Sequence, residues 1–452
     1  MAYLGIVADD LTGATTTGVL LARSGVKTKV YFHEEAVNKT TDASEKEAEG
    51  AIVISSNSRA YKPEKAYETV KFATEVLVGQ GCRYFQKRID TTMRGSIGTE
   101  IDAMLSVLGE NVVAVVVPAM PKSRRILVGG YSIIDGTALV NTPVAKDVRT
   151  PVTENYIPRL LETQTKENVA LIPLEKVLKG SLAVVEDMRE KRANGSRVLV
   201  ADAITEQDVT VIAEACMKLQ WNILSVDPGP FTAELARQRG LAGQEQDGLY
   251  SLNVKEKASV KPGRTVLVAA GSATEVTKRQ MQKLFEKTDA HQISVDPVRL
   301  LSGAEEAEKE IVKAAEDAIE ILKNQSNVPV VVFETALHGT LLDLDAEDKK
   351  HGYPNGMSAD KINEGLGMIV KKVLNTCGKS RIAGLYMTGG DTMVHVCRML
   401  GTECLEVLDY VIPQTDVSKL ADGKYQGMTV IGKGGMTGYN EIAEDIVNAL
   451  LK

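Results

Sequence analysis

The run Gly5-Ile6-Val7-Ala8-Asp9-Asp10-Leu11-Thr12-Gly13-Ala14 sets two adjacent carboxylates and a hydroxyl where an apolar strand pattern gives way to a helical one. Carboxylates at such a point can accept hydrogen bonds from a polyhydroxy ligand, and one of them can take the proton of a reacting hydroxyl. Toward the other end of the chain, Thr388-Gly389-Gly390-Asp391-Thr392 and Gly432-Lys433-Gly434-Gly435 place glycines, a lysine and hydroxyls at similar strand exits. Backbone N–H groups that no Cβ shields, at the start of a helix, suit phosphate.

The first half adds cations on the same side of its strands. Arg59 follows one strand-like run, and Lys87-Arg88-Ile89-Asp90-Thr91-Thr92-Met93-Arg94-Gly95 holds three cations, a carboxylate and two hydroxyls in nine residues. A solvated turn explains such a run equally well. Yet guanidinium groups at Arg59, Arg88 and Arg94 can fork onto a carboxylate. With Asp9, Asp10, Ile89, Asp90 and Thr91 they are expected to hold an anionic, hydroxyl-rich ligand.

In the second half, Ser272 follows a strand and either caps the next helix or meets a nucleotide. Gly389 and Gly390 open a helix whose dipole attracts phosphate, and Asp391 either caps that helix or binds Mg²⁺. Asp10 or Thr12 could likewise be a helix cap, which explains one such residue but not two adjacent carboxylates. Acceptors for hydroxyls in one half and donors for phosphates in the other meet the needs of a small-molecule kinase. ATP would lie on Ser272, Gly389, Gly390, Asp391, Thr392, Gly432, Lys433, Gly434 and Gly435, with Mg²⁺ between its phosphates. Asp10, with Asp391 as the second candidate, would orient or deprotonate the attacking hydroxyl. No Gly-x-x-x-x-Gly-Lys-[Ser/Thr] is present, and no Gly-x-Gly-x-x-Gly follows the first strand, which removes Walker-type and dinucleotide sites. His338 and His395 stand singly and fit core or surface positions.

The elements that must position these groups alternate. Strands are predicted at Leu4–Ala8, 26–32, Ala51–Ser55, 82–86, 112–117, 197–201 and 222–226, with helices carrying Leu11 to Leu21, Ala66 to Leu77 and Ile97 to Leu108 between them. The loop after the 82–86 strand would run from Lys87 to Gly95. Pro118 to about Lys166 lacks a helical period and reads as a long excursion, a lid or a subunit contact. Beyond a polar, basic stretch a second series follows, with strands near 265–270, 328–333, 381–387 and 428–431. Helices fall near 275–286, 304–323, 359–376 and 392–400. The fold class is therefore α/β, with two domains of largely parallel sheet flanked by helices: 1–250, a linker at 251–263, and 264–452.

The whole composition agrees with this. A length of 452 residues suits two domains, and 44% hydrophobic residues allow each a core. A net charge of −7 disfavours nucleic acid and anionic membranes as partners. No apolar run approaches the roughly 20 residues of a membrane span. Five scattered cysteines show neither a disulfide framework nor a metal site and point to the cytoplasm. A homodimer is the commonest symmetric state for such a chain.

Taken together, Ala8-Asp9-Asp10-Leu11-Thr12-Gly13-Ala14, Arg88-Ile89-Asp90-Thr91-Thr92-Met93-Arg94-Gly95, Gly129-Gly130-Tyr131, Thr150-Pro151-Val152-Thr153-Glu154, Thr388-Gly389-Gly390-Asp391-Thr392 and Gly432-Lys433-Gly434-Gly435 resemble the four-carbon acid sugar kinases over nearly the whole chain. The resemblance implies ATP-dependent phosphorylation of the terminal hydroxyl of a tetronate, with the sugar acid on the N-terminal domain, ATP on the C-terminal domain and the active site in the cleft between them. Arg94 makes the middle motif similar to that of D-threonate and D-erythronate kinases; 3-oxotetronate kinases carry an acidic residue there. Arg88 and Thr91 stand where that motif has Lys and Ser, and Arg124-Arg125-Ile126-Leu127 where relatives tend toward Gly-Arg-Thr. The rival readings are a 3-oxotetronate or hydroxy-acid kinase, and a sugar-acid sensor without turnover.

Overall fold

The computed structural model describes residues 3–40, 50–147, 149–246, 263–337 and 341–452. The expected linker, apart from Gly263, and His338 lie outside these residues. The chain forms two compact units, Met1–Gln246 and Asp247–Lys452.

The first unit contributes β1 (Leu4–Ala8), β2 (Thr28–Tyr31), β3 (Ala51–Ser55), β4 (Tyr84–Arg88), β5 (Val112–Val116), β6 (Arg125–Val128), β7 (Tyr131–Ile134), β8 (Thr137–Ala138), β9 (Val169–Ile172), β10 (Val198–Ala201) and β11 (Asn222–Asp227). Its main sheet is all parallel, in the order β2-β3-β1-β4-β11-β5-β10-β9. β1, β3, β5 and β10 are buried at every residue. Their continuous Val, Ile, Leu and Ala runs suit a sheet covered on both faces. From β1 the chain crosses to β2, returns through β3, which pairs with β1, and then passes over to add β4 on the other side of β1. Right-handed crossovers in opposite directions put the linking helices on opposite faces. The exits of β1 and β4 are therefore the switch point at which open α/β sheets hold ligands.

The excursion expected at 118–166 is folded. β6, β7 and β8 form a small antiparallel sheet, and a helix spans Ile157–Glu162. The buried Asp202 carboxylate ties it down, accepting from the backbone N–H of Gly129 (2.8 Å), Gly130 (2.8 Å) and Leu174 (2.9 Å). Strands of four residues or fewer with mixed exposure carry too little periodicity to be found in sequence.

The second unit contributes β12 (Thr265–Ala270), β13 (Ala290–Ser294), β14 (Val330–Glu334), β15 (Ile382–Thr388), β16 (Cys404–Ile412), β17 (Thr415–Leu420) and β18 (Thr429–Lys433). The order is β13-β14-β12-β15-β18-β17-β16. The first five strands are parallel; β17 and β16 run antiparallel beyond β18. Again the first strand of the unit is flanked by its third and fourth, so the switch point falls between β12 and β15.

Two corrections bear on the sites. The strand expected at 82–86 is β4, two residues later, so Lys87 and Arg88 are strand residues and not part of the loop. Pairing with β1 and β11 on both sides, and the buried Glu100 that Lys87 meets, draw these cations into the sheet. β9, β13, β16 and β17 were not anticipated; β13 is short and mostly half-buried, and the polar residues Glu406 and Asp409 break the apolar run of β16.

Candidate active site

At the β1 exit Asp10 is the N-cap of the helix Leu11–Arg23, its Oδ1 accepting from Gly13 N at 2.7 Å. The capping role is real, and it is not the whole role. Asp10 and the buried Asp9 are gripped together by two guanidinium groups. Arg59 donates from Nε to Asp9 Oδ2 (2.7 Å) and from Nη1 to Asp10 Oδ2 (2.6 Å). Arg88 Nη1 reaches Asp9 Oδ1 (3.1 Å) and Asp10 Oδ1 (3.3 Å). A Cβ on Gly13 would lie 1.8 Å from Arg88 Nη1, so only glycine lets the Arg88 guanidinium pass under the helix start.

Next along the sheet, Asp90 accepts from Arg94 Nε (2.7 Å) and from the Thr92 hydroxyl, and lies 3.9 Å from Arg59 Nη2. Arg94 Nη1 also meets Asp147 of the excursion at 3.4 Å. Arg125, on β6, donates from Nε to Thr91 Oγ1 at 3.2 Å. Beneath the exits Lys87 Nζ pairs with Glu100 Oε2 at 2.8 Å, both side chains fully buried, and donates to Arg88 O at 2.9 Å. Backbone strain marks the same places. Asn57 (φ 52), Met93 (φ 57) and Arg124 (φ 57) adopt the left-handed conformation just ahead of Arg59, Arg94 and Arg125. Each costs on the order of 1 kcal/mol, and such residues gather at sites that must aim a side chain.

The electrostatics separate the neighbouring acids. Burial would raise the Asp9 carboxyl, but Arg59, Arg88 and Lys87 outweigh it and hold it below the usual carboxylate range. Asp10 is raised, first by burial and then by the negative charge of Asp9, which Arg59 and Arg88 only partly offset. Asp90 is opposed by burial yet held low by Arg59 and Arg94. One carboxylate of the pair is thus a fixed anion and its neighbour is ready to take a proton, the division acid–base chemistry needs.

The second unit brings its own expected residues together at the exits of the adjacent parallel strands β12, β15 and β18. Gly389 (φ 102) is the N-cap of the helix Gly390–Met399, with its N–H on Lys433 O at 2.8 Å. Asp391 is therefore not the cap; it is exposed in the first turn. Nor does Ser272 cap: that role falls to Thr274, whose hydroxyl accepts from Thr277 N at 3.2 Å. Ser272 Oγ instead joins a hydroxyl chain with Thr274 (3.4 Å) and Thr277 (3.1 Å), and Thr274 donates to Gly435 O at 2.7 Å. A Cβ on Gly435 would come within 2.7 Å of Ser272 Oγ, and one on Gly271 within 2.4 Å of Thr392 Oγ1. Thr392 itself is buried, donating to Asn363 Oδ1 at 2.8 Å.

Two expected site residues are placed differently from the sequence reading. Ile89 is 1% exposed and offers a ligand no side chain. Lys433 is buried, with Nζ donating to Gly434 O (2.7 Å) and Thr437 O (3.2 Å). It braces the glycine loop from behind, and burial pushes it down to about 8. Asp147, Arg125 and Asn363 were missed in sequence because each lies far along the chain from the motif it meets, and Glu100 because it reads as one polar residue of the 97–108 helix.

A sheet with an acid–arginine cluster at its switch point and a second sheet with a glycine-lined one define a two-part phosphotransferase. The comparisons agree. Residues 4–235 match the family model of a sugar-binding N-terminal domain and residues 267–442 that of a nucleotide-binding C-terminal domain. The D-erythronate kinase of Heliobacterium modesticaldum is 35% identical across 100% of this chain and 98% of its own. The D-threonate kinase of Salmonella typhimurium is 28% identical across 95% of this chain and 94% of its own. The crystal structure of a Haemophilus influenzae protein superposes with a TM-score of 0.73 at 23% identity, covering 98% of each chain, and shares the fold. The chain belongs to the four-carbon acid sugar kinase family. It is a phosphotransferase of that class.

Proposed function

We propose that the chain transfers the γ-phosphoryl group of ATP to the terminal hydroxyl of D-erythronate or D-threonate. The observation that carries this reading is the Asp9–Asp10 pair held by Arg59 and Arg88 at the β1 switch point, in which the arginines keep Asp9 an anion while burial and the Asp9 charge raise Asp10. Asp10 orients or deprotonates the attacking hydroxyl, and Asp9, Arg59, Arg88, Asp90, Thr91 and Arg94 hold the sugar acid. The backbone N–H groups of Gly390, Thr392, Gly434 and Gly435 and the Ser272 hydroxyl hold the phosphates of ATP, and Gly389 keeps their approach clear of a Cβ. Transfer takes place where the two ligands meet, and positioning with charge neutralisation supplies most of the rate.

Among the described residues no cluster of three or more His, Cys, Asp or Glu is placed to hold a metal. Mg²⁺ carried by nucleotide phosphates needs only one or two carboxylates, and the exposed Asp391 beside the glycines fits that donor role. When bound, the ion neutralises phosphate charge. The five cysteines are scattered through the sequence, which suits a reducing cytoplasm. No helix among the described residues is long and apolar enough to cross a membrane.

An ADP-release assay over D-erythronate, D-threonate, their enantiomers and a 3-oxotetronate tests the proposal, D-erythronate first because of the relative at 35% identity. Turnover of either D-acid is expected. Turnover of the 3-oxo acid alone would overturn the substrate assignment.

A further inference from the structure

We propose that Arg125, on the excursion strand β6, receives the carboxylate of the sugar acid and thereby fixes which end of the substrate faces Asp10. This rests on the function proposed above. The three arginines at the cluster already have carboxylate partners. Arg59 is on Asp9 and Asp10, Arg88 on the same two, and Arg94 on Asp90 and Asp147. Four carboxylates stand against those three guanidinium groups, so their charge is already balanced; they hold the acid through its hydroxyls and by keeping Asp9, Asp10 and Asp90 in place, not by pairing with its carboxylate. Arg125 differs. It donates to two neutral oxygens, Thr91 Oγ1 (3.2 Å) and Ser123 O (2.5 Å), and among the described residues it pairs with no carboxylate.

Its place is also built. Met120 and Arg125 exchange backbone hydrogen bonds, Met120 N to Arg125 O at 2.9 Å and Arg125 N to Met120 O at 3.3 Å. Arg124 ahead of it is held left-handed, and Asp135 N closes onto Arg124 O at 2.8 Å. The Thr91 contact brings the half-buried guanidinium to the loop that carries Asp90 and Arg94. A tetronate has one anionic end and one hydroxyl end. The carboxylates of Asp9, Asp10 and Asp90 repel the first and accept from the second. The acid therefore settles on the cation without a counter-ion, and the terminal hydroxyl is turned toward Asp10. The same placement gives the 118–166 excursion its role: it delivers Arg125 to Thr91 in the loop after β4, with Asp147 steadying Arg94.

The test uses the full chain and compares the acid the wild type turns over best with erythritol, which has the same carbon chain and no carboxylate. KM for the acid and Ki for erythritol as competitive inhibitor are measured for wild type, Arg125→Gln and Arg125→Lys. Arg125→Gln is expected to raise KM for the acid by more than about tenfold, leave the erythritol Ki within about threefold, and leave KM for ATP unchanged. Arg125→Lys, which keeps the charge but not the fork, is expected to fall between. Equal losses for acid and erythritol would mean that Arg125 only buttresses Thr91, and an unchanged KM for the acid would remove it from the site; either overturns the inference. Should Arg125→Gln not fold, Arg125→Lys decides alone: an acid KM equal to wild type, or an equal loss of erythritol affinity, overturns it. A wild type inactive on every four-carbon acid would instead sink the proposed function and is read before any variant.

Discussion

In the first unit the exits of β3, β1 and β4 are filled with charge: Arg59, Asp9, Asp10, Asp90 and Arg94 neutralise one another at hydrogen-bond distance. In the second, the exits of β12, β15 and β18 are nearly bare of side chain, and their polar groups are amides and hydroxyls around Gly271, Gly389 and Gly435. Both units place strands one to four of their own sequence in the same order. On the proposed function, topology fixes where each ligand goes and composition at the strand ends fixes which ligand it is. A polyhydroxy acid needs acceptors, a base and a counter-cation, which only side chains supply. A polyphosphate needs many donors at close range, which backbone supplies once Cβ atoms are gone.

The comparison breaks most sharply at Asp10. Asp10→Asn is expected to lower kcat by roughly 10²–10⁴-fold with little change in KM. Tm should be nearly kept, since Asn caps a helix about as well as Asp. Because burial and Asp9 raise the Asp10 carboxyl, activity should fall as pH drops through a value above that of an ordinary aspartate, and the residual rate of Asp10→Asn should lack that limb. A fully active, fully stable variant would pass the proton to Asp391.

A smaller effect is expected in the glycine site. Gly435→Val drives side-chain atoms against Ser272 Oγ. It should weaken ATP binding by about tenfold or more, near 1.4 kcal/mol, without touching the sugar acid. Calorimetric titration with a non-hydrolysable ATP analogue measures this; unchanged affinity would reduce the cluster to a tight turn.

The last effect is on stability and touches neither ligand. Lys433 falls from its ordinary 10.5 to about 8 in the folded chain because it is buried. Between those values the unfolded chain holds the extra proton, so stability rises with pH across that window and is flat below it. Relative to Lys433→Met, the wild type should gain about 1–3 kcal/mol from pH 8 to 10.5 in chemical denaturation. A constant difference would place the ammonium in solvent.

Much of this was legible in the sequence. The runs Leu4–Ala8 and Val112–Val116 announce buried parallel strands because every residue is apolar, and Asp9-Asp10 and Gly389-Gly390 stand out at their ends. What was not legible depends on contacts between distant residues. Arg88 reads as a loop cation until β1 and β11 pair on either side of its strand. Lys433 reads as a phosphate ligand until its ammonium is seen on the loop's own carbonyls. Asp391 and Ser272 could each have been caps, and only backbone geometry gives those positions to Gly389 and Thr274.

The division of labour between the units is tested most directly by cross-titration of the full chain. Arg88→Gln and Gly435→Val are each titrated with D-erythronate or D-threonate, whichever the wild type binds, and with the ATP analogue. Arg88→Gln is expected to lose the acid by about tenfold or more and keep the nucleotide, and Gly435→Val the reverse. A variant that loses both ligands while its melting temperature holds, or loses the ligand assigned to the other unit, would contradict the account.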